Sequence, residues 1–155
     1  MPEPITPQQP TSQRTTTVTE TFETIRYTAD IVVTRADGYV LLIQRGWDPH
    51  KGMWALPGGH VDAGETSRDA AARELAEETG VYAAPDELEQ IGVFDQPGRD
   101  PRGRYVTVAY HLTVIPGTPV EAKDDAVAVR WAPLDDLPPL AFDHADILAA
   151  TRHHH

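Results

Sequence analysis

Two short runs of β-branched and apolar residues, 29–34 and 39–44, bracket Arg35-Ala36-Asp37-Gly38. That arrangement predicts a β-hairpin closed by an Asp-Gly turn. Ahead of it, 15–23 alternates Thr with Val, Glu and Phe, a weak strand signal, and 1–14 is a Pro-, Gln- and Thr-rich leader with almost no large apolar side chain. Behind it, 46–64 is dense in Gly, Pro, Trp and His and predicts a long structured loop. The spacing over 66–79 predicts a helix. Thr66 is its cap, Asp69 the box partner three residues on, and Gly80 the stop. Residues 88–94, 105–115 and 127–131 read as strands, and 140–151 as a final helix. The whole reads as one α/β domain over 15–152, a sheet covered by helices on both faces. The closing His153, His154 and His155 are taken as a tag remnant.

Within the predicted helix, Glu74 and Glu78 lie one turn apart with Glu77 beside them, so all three carboxylates share a face. Ala71, Ala72, Leu75 and Ala76 fall opposite and form the buried seam. Glu74 and Glu78 repel at this spacing, while Arg73 and Glu77 are set to pair. A solvated acidic face accounts equally well for the helix alone. The loop ahead of it shifts the balance. Pro57-Gly58-Gly59 lets backbone approach a ligand closely, and Glu65 adds a fourth carboxylate. Such oxygen-rich clusters suit Mg²⁺ or Mn²⁺ with a phosphate as co-ligand.

Composition narrows the partners. The 155 residues carry 13 Lys and Arg against 24 Asp and Glu, a net charge of -11. This argues against nucleic acid and against anionic membrane surfaces, both of which call for a basic face. There is no cysteine, which excludes thiol catalysis and thiolate zinc sites. No signal pattern or membrane-length apolar run is evident, so a soluble cytoplasmic protein is the expectation. His50, His60 and His111 read as loop or surface residues rather than ligands.

Gly59, five residues, Glu65, seven residues, then Arg73-Glu74-Leu75-Ala76-Glu77-Glu78-Thr79-Gly80-Val81 resembles the signature box of the Nudix hydrolases at every position. The run 39–45 and Trp54-Ala55-Leu56-Pro57-Gly58 resemble its lead-in. The resemblance implies an α/β/α sandwich with a central mixed sheet, and hydrolysis of a nucleoside diphosphate linked to another group. By position it makes Glu74 and Glu78 the main metal ligands, Glu77 a further one and the Gly58 carbonyl a backbone ligand. Glu65 would orient water or a metal-bound group, and Arg73 would hold the glutamates. Glu74, Asp124 and Asp125 are all candidates for the general base. A homodimer exchanging 15–28 is the assembly that family analogy suggests.

Three arginines, Arg99, Arg102 and Arg104, punctuate the loop 94–104 of this acidic chain. Their forked donors suit a pyrophosphate. This loop and Leu140-Ala141-Phe142-Asp143-His144 resemble the ADP-ribose pyrophosphatase group, which implies cleavage of ADP-ribose to AMP and ribose 5-phosphate. Trp47, Trp54, Phe142 and His144 are candidates for stacking on adenine. The alternatives are a nucleoside triphosphate pyrophosphatase of the 8-oxo-dGTP type and a non-catalytic nucleotide-sensing module.

Overall fold

The structure is a computed structural model that describes residues 20–154. Strand β1 (Ile25–Arg35) turns through Gly38, whose φ of 97° only glycine adopts readily, into β2 (Tyr39–Arg45). The predicted long loop contains two short strands, β3 (Trp54–Ala55) and β4 (Gly58–His60). Helix α1 (Ser67–Thr79) follows, then a 3-10 turn over Pro85–Glu87. Strands β5 (Glu89–Phe94), β6 (Arg104–Val114) and β7 (Ala126–Pro133) lead to helix α2 (His144–His154). No helix among the described residues is long and apolar enough to cross a membrane.

All strands join one mixed sheet in the order β3-β2-β1-β6-β5, with β4 also on β1 and β7 also on β2. β1 and β6 run parallel in register from Ile25↔Arg104 to Arg35↔Val114. The hairpin partners β1 and β2 share only Thr34↔Val40 and Arg35↔Tyr39 before they diverge. β4 takes the freed edge of β1, from Thr28↔His60 to Asp30↔Gly58, and β7 takes the freed edge of β2. The wedge between the diverging strands is where the site forms.

Alternation along β1 sorts side chains between two cores. Ala29, Ile31 and Val33 pack with Ala70, Ala71 and Leu75 of α1. Val32 packs on the opposite face with Leu42, Leu56, Ala109 and the α2 residues Ile147 and Leu148. This is the α/β/α sandwich.

Several boundaries differ from expectation. Residues 20–24 carry no strand, and the rest of the 15–23 prediction lies outside the described residues, as does the whole 1–14 leader. The last helix starts at His144 rather than 140. Leu140 forms a bridge with Trp54, Ala141 donates to the Trp54 carbonyl, and Phe142 takes a left-handed φ of 53° that breaks a helix. His111 is buried within β6, its Nε2 2.7 Å from the Thr34 hydroxyl, and so is no surface residue.

Candidate active site

A cavity of about 380 Å³ opens in the wedge, lined from one side by β1, β4 and Glu78 of α1 and from the other by Arg45, the loop 99–102 and the start of α2. Glu78 lines it together with Asp30, Asp100 and Asp125. It is buried, and its Oε1 accepts the Gly58 N–H at 2.9 Å. Burial pushes its carboxyl up to about 9, and the neighbouring charges of Glu74, Asp30 and Asp125 add to the rise. Glycine permits this contact. A Cβ at Gly58 would collide with the Ala29 carbonyl and Asp30, and one at Gly59 would stand 2.6 Å from the Glu74 carboxylate.

Arg73 organises the remaining acids. Its Nε donates to Glu65 at 2.7 Å and its Nη1 to Glu74 and Glu77, each at 3.0 Å. The bond from Arg73 holds the Glu65 carboxyl below the usual range. Burial instead raises Glu74, against the pull of Arg73. Neither Glu74 nor Glu77 lines the cavity; 45% of the Glu77 side chain is exposed, against 16% of Glu74. Among the described residues, no three acidic or histidine side chains already stand close enough to enclose an ion. Mg²⁺ does not require three, because it keeps several waters and takes one or two carboxylates. A buried carboxylate that meets three acids and a single N–H has the charge deficit a hard cation would fill.

The loop 120–125 is laced to the end of α1. The Glu121 N–H donates to the Thr79 carbonyl and the Lys123 N–H to the Glu78 carbonyl, both at 2.9 Å. Asp124 then takes a φ of 49°, and Asp125 lines the cavity.

The profile of the NUDIX domain matches residues 24–151. The chain belongs to the Nudix family. A Methanocaldococcus jannaschii protein named ADP-ribose pyrophosphatase is 45% identical over 112 residues, 72% of this chain and 64% of that one. The ADPR responsive transcriptional repressor NtrR of Acinetobacter baylyi is 37% identical over 70% of this chain and 44% of its own length. The chain thus spans less than two thirds of either relative. Among solved structures, the NUDIX domain of Shewanella oneidensis NrtR complexed with ADP ribose superposes with a TM-score of 0.78, at 33% identity, over 85% of this chain and 89% of that one.

Outside the Nudix box, the arginines expected to meet substrate divide. Arg99 also borders the cavity but is buried and tied through two nitrogens to Asp143, at 2.9 and 2.6 Å, so it fastens its loop to the residue that precedes α2. Arg102 lines the cavity, paired with Asp100 at 2.8 Å and stacked over Tyr105 and Phe142. Arg104 does not line the cavity, and its nearest acid is Glu23 at 3.4 Å. Trp54 is also outside the cavity, packed against the α2-side core beneath Arg130, whereas Trp47 and Phe142 line it.

Arg45, not picked out from the sequence, faces the cavity, and among the described residues its guanidinium donates only to the Pro49 and Trp47 carbonyls. Its guanidinium stacks over Phe142 at 4.8 Å. Its position at the end of a predicted strand, just before a glycine, was the available signal. Asp30 lacked one, because an acid inside an apolar run reads as an interruption of the pattern.

Proposed function

We propose that this Nudix chain hydrolyses ADP-ribose at its diphosphate, giving AMP and ribose 5-phosphate. The observation that carries the reading is the buried Glu78 carboxylate, facing Arg45 and Arg102 across one cavity. The acid end suits a divalent cation and the basic end suits phosphate oxygens. The 45% identical pyrophosphatase supports ADP-ribose as the substrate.

Glu78, Glu74 and the Gly58 carbonyl would hold Mg²⁺ or Mn²⁺, with Glu77 available on rearrangement. A bound divalent ion shields phosphate charge and acidifies water. Around it the chain's own residues position the reactants. Glu65 and Arg73 keep Glu74 in place, and Arg45 and Arg102 receive the phosphates. Asp125 lines the cavity while Glu74 is occupied by Arg73, which supports Asp125 as the base that takes the proton from water.

A nucleotide sensor is the second reading, favoured by the likeness to the repressor and to the NrtR domain. Glu78→Gln separates the two. The expected result is loss of turnover with ADP-ribose binding retained by calorimetry; unchanged turnover rules out the role given to Glu78. A panel of ADP-ribose, sugar nucleotides and 8-oxo-dGTP, with Mg²⁺ or Mn²⁺ and products weighed by mass spectrometry, identifies the substrate. Release of inorganic pyrophosphate from a triphosphate, with ADP-ribose left intact, would displace the ADP-ribose assignment.

A further inference from the structure

We infer that Asp30 and His144 together read a ribose hydroxyl in the sugar adjoining the diphosphate, an assignment that rests on the ADP-ribose reading. Alternation along β1 sends Asp30 to the α2 face of the sheet, where α2 begins with His144. The His144 Nδ1 accepts the Leu56 N–H at 3.0 Å. A nitrogen that accepts carries no proton, so the ring is neutral and its proton sits on Nε2. That Nε2 stands 3.9 Å from the Asp30 Oδ1, too far for a hydrogen bond between them. The other Asp30 oxygen is already satisfied by the Thr107 hydroxyl at 2.7 Å.

Both side chains are almost buried, and both line the cavity. Among the described residues, no hydrogen bond reaches Asp30 Oδ1 or His144 Nε2. The pair therefore offers one acceptor and one donor, side by side, to whatever enters. A phosphate oxygen cannot donate and is repelled by Asp30. An ammonium group cannot accept from Nε2–H. A hydroxyl does both, donating to the carboxylate while accepting from the imidazole. The edge of adenine also does both, but Asp30 abuts Gly58, whose N–H holds Glu78. The pair thus adjoins the diphosphate end, and the sugar is the group attached there.

The test compares ADP-ribose with a set of analogues, each lacking a different one of its ribose hydroxyls, by calorimetry and by steady-state kinetics with Mg²⁺. Wild type is expected to disfavour one analogue by about 10- to 100-fold in Kd and KM, with little change in kcat. His144→Phe brings that ratio close to one. His144→Gln preserves it, because an amide can accept from Leu56 and donate into the cavity. If His144→Phe does not fold, Asp30→Asn is expected to diminish the same ratio. Equal affinity of wild type for ADP-ribose and every deoxy analogue, or a ratio unchanged in His144→Phe and Asp30→Asn, overturns the inference. So does a loss of adenine-over-guanine preference in these variants with every deoxy analogue bound normally, which would make the pair a base reader. Binding of ADP-ribose without cleavage defeats the hydrolase reading alone, since the affinity ratios still judge the hydroxyl contact; no binding at all defeats both.

Discussion

Gly58, which closes the lead-in, and Gly59, which opens the Nudix box, serve different ends, and the atoms they face set them apart. The Cβ of an alanine at 58 would meet backbone, the Ala29 carbonyl and the Asp30 Cα, which cannot yield without moving β1. Gly58→Ala is therefore expected to destabilise the fold by about 1–3 kcal/mol, read as a lower denaturation midpoint. At 59 the obstacle is the end of a side chain, the Glu74 carboxylate. Gly59→Ala should keep most of its stability and lose activity, as the carboxylate is pushed from its place. If both variants lost stability equally and kept their rates, the distinction would fail. The spacing of the box made these glycines legible, since close approach is a local demand. Arg45 and Asp30 were not legible, because their roles arise only when strands distant in sequence come together.

Helix α1 was readable from its own residues because its determinants are local. The Thr66 hydroxyl accepts the Asp69 N–H at 3.1 Å, and Gly80 closes the helix with a φ of 76°. Removing the cap in Thr66→Ala is expected to cost about 1 kcal/mol, or about 2–4 °C in melting temperature for a domain of this size. Thermal denaturation checks it, and an unchanged midpoint would mean that tertiary packing alone holds the first turn. Strands β3 and β4 escaped notice for the opposite reason. They are two and three residues long and exist through pairing with β2 and β1, which no local pattern encodes. The start of α2 was misjudged because an apolar run continues through residues 140–142, while the contact with Trp54 imposes a turn there. Glu77 shares the helix face of Glu74 in sequence, and the same Arg73 nitrogen holds both, yet Glu77 is the more exposed of the two.

At the scale of the molecule, the architecture gathers acidic side chains around one buried glutamate in a chain already at -11. An ordinary glutamate loses its proton near 4.5, whereas burial moves Glu78 to about 9. The folded chain therefore keeps a proton that the unfolded chain releases. The stability this brings is fully present below pH of about 4.5 and is lost as pH climbs through about 9. In chelator, the wild-type melting temperature should fall across that window. Glu78→Gln mimics the protonated side chain and should show a shallower fall, so the difference between the two isolates Glu78 from the other titrating groups. A divalent cation can take the place of the proton. The rise in melting temperature on adding Mg²⁺ should then grow with pH in the wild type and shrink sharply in the variant, as expected when a ligand binds only the folded state. Scanning calorimetry at several pH values, with chelator or with Mg²⁺, measures both trends. Parallel curves for the two proteins in chelator would mean that Glu78 is ionised without a cation, and that the rest of the fold tolerates its buried charge unaided.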